Sequence, residues 1–198
     1  MNIARHIVHL VTCAALSVGL FTANANAGKP KFAEKADTTI VDFATEVSGG
    51  INAIDESGED FDILIAALVT TGVVGIFDGT DYTVFAPNDQ AFYDLATAIR
   101  DDDTMPPVDT DSDALGIILG ALTPADIAAV LAYHVTEGVR NSRSVTRAKQ
   151  IEMLDENTVS GRAMPGFIEA NNSIAALENI DNRFADGMVH VIDAVLLP

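Results

Sequence analysis

Three side chains with proton-exchange chemistry stand out once the ends of the chain are set aside: Tyr133 and His134, adjacent in sequence, and His190 near the carboxyl end. Imidazole changes charge near neutrality, so histidine is the first group to weigh for acid–base or metal chemistry. Here the neighbours that such chemistry needs are missing. No Ser-His-Asp order, no metal-spaced histidine pair and no glycine-rich phosphate loop accompanies either ring. Both sit in apolar runs, Val130-Leu131-Ala132-Tyr133-His134-Val135 and Met188-Val189-His190-Val191-Ile192. That is the setting of a buried ring with both nitrogens satisfied. No catalytic residue and no cofactor is assigned, and the chain is expected not to be an enzyme.

Two charge clusters remain. Asp109-Thr110-Asp111-Ser112-Asp113 has the D-x-D-x-D opening of a calcium loop. An EF-hand would place Gly next and Glu six residues later, where Ala114 and Gly120 stand, so that reading fails. A looser cation site on Asp109, Asp111 and Asp113, with Asp101, Asp102 and Asp103 nearby, is the weaker alternative to a solvated acidic loop. The stretch from Asp101 to Asp113, with Pro106-Pro107, reads as too polar to pack. Arg140, Arg143, Arg147 and Lys149 are four of only 11 Lys and Arg in the chain. They are either a docking patch for an anionic polymer such as an acidic polysaccharide, or a counterweight to the protein's own acidic loops.

The elements that must position these residues follow from periodicity. Thr39 can cap a helix carrying Ile40, Phe43, Ala44 and Val47 at i, i+3, i+4, i+7, stopped by Gly49-Gly50. A second helix presents Phe61, Leu64, Ile65 and Leu68 and stops near Gly72. Tyr82 to Phe85 reads as a strand ended by Pro87, and Asn88 caps a third helix with Phe92, Leu95, Ala96 and Ile99 in register. A fourth carries Leu115, Ile118, Leu119 and Leu122. Thr123-Pro124-Ala125-Asp126 resembles a capping box opening a fifth, striped by Ile127, Val130, Leu131 and His134. The last third turns to period two, with a hairpin about Asn171-Asn172 and a long strand from Met188 to Leu197. Runs of helices followed by runs of strands indicate an α+β domain.

Composition bounds the rest. Eleven Lys and Arg against 29 Asp and Glu give a net charge of −18, which repels phosphate backbones and anionic bilayers, so nucleic acid and stable membrane insertion are not expected. Residues 1–27 read as a secretory leader: Arg5, an apolar run from Leu10 to Phe21 and a small-x-small cut at Ala25-Asn26-Ala27. A lipoprotein reading at Cys13 is the weaker alternative, because Thr12 is unusual before the cysteine. Residues 28–37 read as a flexible lead-in and 38–198 as one domain. The only cysteine, Cys13, leaves with the leader, so the exported domain must stand on its core without disulfides.

Three segments resemble the signatures of the fasciclin domain family, in family order. Thr83-Val84-Phe85-Ala86-Pro87-Asn88-Asp89-Gln90-Ala91-Phe92 is similar to its first signature, Val130 to Val135 to its Tyr-His motif, and Gly187 to Pro198 to its closing G-x-[IV]-H-x-[IV]-D-x-V-L-x-P. Thr39-Ile40-Val41-Asp42 resembles the usual opening helix, so the likeness covers residues 37–198. It implies a wedge-shaped β-sandwich-like sheet system with helices packed around it. It also implies an exported adhesion or matrix module, monomeric or weakly self-associating, whose partner is an extracellular protein or polysaccharide. The Tyr133-His134 neighbourhood is the candidate surface, joined by Asp126-Ile127, which is similar to the core of a short integrin-binding motif in the family's animal members. The alternative is a carrier of an apolar pigment or lipid, with Val73, Val74, Ile76, Phe77 and Met164 to Phe167 as candidate groove residues.

Overall fold

The computed structural model describes residues 37–47, 60–73, 80–101, 104–161 and 166–198. The leader and its cut, the lead-in up to Ala36, the Gly49-Gly50 stop, residues 74–79, Asp102, Asp103 and Met164 lie outside the described residues.

Among the described residues six helices and eight strands follow in order: α1 Ile40–Val47, α2 Asp62–Thr71, β1 Tyr82–Pro87, α3 Asp89–Arg100, α4 Asp111–Ala121, α5 Pro124–Ala132, β2 Val135–Glu137, α6 Ser142–Val145, β3 Ile151–Glu152, β4 Thr158–Val159, β5 Phe167–Glu169, β6 Ile174–Ala176, β7 Asn182–Phe184 and β8 Gly187–Ile192. The architecture is α+β, as expected. Among the described residues no single helix is long and apolar enough to cross a membrane.

The organising element is a mixed four-stranded sheet in the order β2-β1-β8-β7. Its two central strands, β1 and β8, run parallel with Val84 opposite Val189 and Phe85 opposite His190. Both are buried along their whole length. Such strands read as continuous apolar runs because each face has its own core. Val84, Ala86, Val189 and Val191 face the helices and join Phe43, Phe61, Phe92, Ile127 and Leu131. Phe85 and Ile192 face the other way and join Tyr133, Ile151, Val159, Ile168 and Leu196. That second core is roofed by the hairpins β3-β4 and β5-β6. Bridges Ser160↔Glu169 and Leu177↔Ile192 join the hairpins to each other and to β8, which gives the sandwich. Phe85, Phe184, Ile192 and Leu196 are fully buried, each contributing about 1.5–3 kcal/mol of transfer free energy.

The caps behave as their residue types dictate. Asn88 Oδ1 accepts the Ala91 N–H at 3.0 Å, and Thr123 and Asp126 form a full capping box, with Asp126 N–H to Thr123 Oγ1 at 3.2 Å and Thr123 N–H to Asp126 Oδ2 at 3.0 Å. Gly72, at φ 71, closes α2 in the left-handed region that glycine adopts without strain.

The structure departs from the sequence reading in four places. The acidic stretch packs at its carboxyl end, although Asp101, residues 104–107 and Asp109 are exposed: α4 begins at Asp111 under the cap of Thr110, Val108 is buried, and its N–H reaches Thr97 Oγ1 at 2.8 Å. Starting there, α4 buries Asp111, Ala114 and Ile118 and turns Leu119 outward, 44% exposed. The alternating segment after Gly138 contains a short helix, α6, because Asn141 caps it through Ser144 N–H at 2.9 Å. Strand β8 ends at Ile192 and not Leu197: the N–H groups of Leu196 and Leu197 bond to His134 and to Ser173 Oγ, so no ladder continues.

Candidate functional site

Helix α5 ends at Ala132, and Tyr133 and His134 form the turn that hands the chain to β2. Both are buried. The Tyr133 hydroxyl donates to Thr158 O at 3.1 Å and accepts from Asn171 N–H at 3.3 Å, tying α5 to two hairpins; burial raises its pKa. His134 uses both nitrogens. Nδ1 lies 2.7 Å from Val130 O and Nε2 accepts the Leu196 N–H at 2.9 Å, which assigns the neutral ring with its proton on Nδ1. Burial pushes its pKa down to about 4. A ring with both nitrogens bonded to backbone and no charge at neutral pH holds structure together and has neither nitrogen free for a ligand.

His190 mirrors it from the opposite face of β8 with the other tautomer. Its Nε2 meets Arg140 O at 2.8 Å, Nδ1 accepts the Asp181 N–H at 3.2 Å, and the ring stacks on Phe85 at 5.8 Å between centroids. Burial again lowers the pKa.

The helical face of the molecule carries two further features. One is an apolar groove of about 180 Å³ between α2, α3, α4, α5 and the final segment. Leu64, Phe92, Leu95, Ile118, Ile127 and Leu131 line it, Asp126 stands among the lining residues and His134 reaches its wall. A smaller apolar cavity of about 50 Å³ shares Leu64, Leu131 and His134 and extends toward Phe43 and Phe61. The second feature is a group of acids at the amino ends of three helices. Asp62, Asp89 and Asp111 each open their helix and each is buried. Carboxylate oxygens of Asp60, Asp62 and Asp89 lie within 4.8 Å of one another.

The residues singled out in the sequence distribute as follows. Tyr133, His134 and Ile127 are buried, while Asp126 is half-buried and its carboxylate is committed to the capping box, which lowers its pKa. Asp109 and Asp113 are exposed, whereas Asp111 turns inward and accepts the Tyr93 hydroxyl at 2.6 Å, so the three do not converge on one point of the surface. Arg143, Arg147 and Lys149 are exposed on and after α6 and form no ion pair with a described carboxylate; among the described residues the ion pair is Arg183 with Asp81, at 3.8 Å. Arg140 stands apart, half-buried beside a polar hollow lined by Glu137, Glu152 and Glu156. Lys149 borders a second polar hollow of about 330 Å³ with Gln150, Thr158, Ser160, Glu169 and Asn171.

Of the groove residues named from sequence, Val73 is half-buried, Gly166 and Phe167 are exposed, and Val74, Ile76, Phe77, Met164 and Pro165 lie outside the described residues. The groove found here is walled by the helix stripes instead. Sequence reasoning passed over Asp60, Asp62, Asp89 and Tyr93. The available signal was an aspartate at the first position of three successive helices, a placement usual for exposed caps and dipoles, which gives no hint of convergence.

Comparison with known proteins places these features in context. Residues 59–198 match the model of the fasciclin domain. The chain is 25% identical over 156 residues to human periostin, covering 78% of this chain and 16% of periostin. It is 24% identical over 159 residues to protein sll1483 of Synechocystis, covering 78% of this chain and 77% of that protein. Among solved structures, a FAS1 domain pair from the insect cell adhesion molecule fasciclin I aligns with a TM-score of 0.46 at 16% identity, over 66% of this chain and 43% of that one.

Proposed function

The chain belongs to the fasciclin domain family, and from that premise we propose that it is an extracellular, non-catalytic binding module whose role is adhesion to, or association with, a matrix polysaccharide or protein. The observation that carries this reading is the exposed cationic run of Arg143, Arg147 and Lys149, which no described carboxylate neutralises. On a chain of net charge −18 such a run is the place where an anionic polymer meets attraction and not repulsion. The polar hollow beside Lys149, bordered by hydroxyl and amide groups and by the Glu169 carboxylate, offers hydrogen bonds to sugar hydroxyls next to that charge. Tyr133 supports the surface from within: its hydroxyl fixes Thr158 and Asn171, both of which border the hollow. Retention of beads coated with the exported protein on host cells and on host extracellular polysaccharide tests the reading. Saturable retention that falls with added salt supports it; equal retention of uncoated beads contradicts it.

A second reading, a carrier of an apolar small molecule, draws on the groove between α2, α3, α4 and α5, whose lining is almost wholly hydrocarbon. Concave apolar sites of this kind bury the greater part of a lipid-like ligand. Extraction of protein purified from its host, followed by mass measurement of the extract, tests it: a stoichiometric apolar compound supports the carrier and an empty extract opposes it.

A further inference from the structure

Helix α2 has an unusual start. Its N-cap residue is Phe61, whose side chain caps nothing. The missing cap comes from 27 residues further on: Asp89, the first residue of α3, accepts the N–H of Asp62 on Oδ2 and that of Ile63 on Oδ1, each at 3.0 Å. The Asp89 N–H in turn donates to Asp60 O at 3.1 Å, and carboxylate oxygens of Asp60, Asp62 and Asp89 lie within 4.8 Å of one another. Carboxyl groups this close and screened from water avoid like-charge repulsion when one of them keeps a proton that a neighbour can share. One turn along α3 the Tyr93 hydroxyl donates to Asp111, the first residue of α4, at 2.6 Å. The amino ends of α2, α3 and α4 are thus laced together by acids. The groups that face Asp89 are Asp60 and Asp62 from the α2 side, Asp111 from α4 and Tyr93 from α3 itself. Below the same three helices lies the apolar groove, walled by Leu64 of α2, Phe92 and Leu95 of α3 and Ile118 of α4.

We propose that the Asp60–Asp89 pair is a proton-operated clamp on the helical wall of the groove: with the shared proton in place the three helix ends are held together, and its loss to bulk water loosens them. Ionising both partners would set like charges side by side in a site screened from water, and the helices separate to relieve it. Burial is the first cause that raises the pKa of Asp89, the Asp60 contact the second, and the Ile63 N–H opposes both; the result is about 9 against 3.8 for the free side chain. The clamp is therefore closed in acid and opens through the alkaline range. Its consequence for a bound molecule rests on the carrier reading above; the clamp itself does not.

The experiment uses the full exported protein and follows backbone amide exchange in α2, α3 and α4 from pH 5 to pH 9, normalised for the intrinsic pH dependence of exchange. An opening that releases one proton lowers protection by up to about tenfold per pH unit. The clamp predicts that fall in wild type, with the β5-β6 hairpin spared, and a flat profile in Asp89→Asn, whose amide still donates to Asp60 and accepts one N–H. Asp60→Asn removes the same shared proton and serves if the first variant does not fold; should neither fold, the wild-type profile decides alone. Protection that does not fall with pH in wild type, or falls equally in the variants, overturns the clamp. Binding of N-phenyl-1-naphthylamine, a neutral apolar probe, is titrated in parallel. A dissociation constant that rises with pH in wild type and not in Asp89→Asn extends the clamp to the groove. A probe that binds at no pH, together with the expected exchange profile, removes the carrier reading and leaves the clamp standing.

Discussion

The His134 ring accepts the backbone N–H of Leu196 at 2.9 Å, across 62 residues of chain. Through that bond the end of α5 holds the final segment, which has left the sheet at Ile192 and among the described residues has no ladder partner of its own. The same ring keeps its other nitrogen on Val130 O, 2.7 Å away. The histidine of the Tyr-His motif therefore acts as a rivet between two of the segments that carry the family resemblance.

Replacing it leaves a buried donor without an acceptor. His134→Ala is expected to destabilise the domain by about 2–4 kcal/mol, the sum of a lost ring and an unsatisfied Leu196 N–H. Urea unfolding of variant and wild type measures it. A loss below about 0.5 kcal/mol, the range of an ordinary surface change, would show that the bond carries no weight.

Two buried groups give stability opposite slopes with pH. His134 is neutral in the fold, its pKa lowered to about 4 from 6.5. Its contribution is fully present above pH 6.5 and lost as pH falls through 4, on the order of 3 kcal/mol at the acid end. Asp89 is raised to about 9, so its contribution is fully present below 3.8 and lost as pH rises through 9. Between pH 4 and 6.5 the two cancel, and above 6.5 the second prevails. Unfolding midpoints against pH should therefore fall earlier in His134→Gln, from pH 4 upward, while Asp89→Asn should remove the alkaline decline. Difference curves against wild type isolate each group from the remaining carboxylates.

The elements were legible because each is written locally. The Thr39, Asn88 and Thr123 caps, the Gly72 stop and the Asn171-Asn172 turn are short-range signals, and each appears where its residues place it. What could not be read is what depends on two distant segments. Asp111 looks like a solvated acid in sequence, and the Tyr93 hydroxyl that meets it inside the fold is brought by α3, from a distant part of the chain. Strand β8 looks four or five residues longer than it is, because the apolar run Ala194 to Leu197 is consumed by side-chain bonds to His134 and Ser173 and not by a neighbouring strand. The placement of Tyr133 and His134 inside the molecule was anticipated by their apolar neighbours, whereas the convergence of three helix-opening aspartates has no periodic signature.

Gly187 is required by close approach. A Cβ there would lie 2.1 Å from the Tyr82 carbonyl oxygen, in the first pair of the β1-β8 ladder. Gly187→Ala must push the central strands apart and is expected to cost about 2–3 kcal/mol by overpacking. Thermal unfolding of the variant reads it directly, and an unchanged midpoint would refute the contact.

Tyr93→Phe removes one hydroxyl from the acid cluster and leaves the ring in place. Loss of the 2.6 Å bond to buried Asp111 is expected to cost about 1.5–3 kcal/mol, the range for a hydrogen bond to a charged group. Because Tyr93 ties α3 to α4, amide exchange should rise in α4 first. Uniform change across the domain would count against a local tie.

Polymer binding through the cationic run is tested by the triple variant Arg143→Ala, Arg147→Ala, Lys149→Ala, measured for binding to acidic polysaccharide from the host beside wild type. All three side chains are exposed, so stability should stay within about 0.5 kcal/mol. At least a tenfold loss of affinity and a shallower dependence on salt are expected. Undiminished binding by the folded triple variant would contradict it and turn attention from the cationic run to the apolar groove.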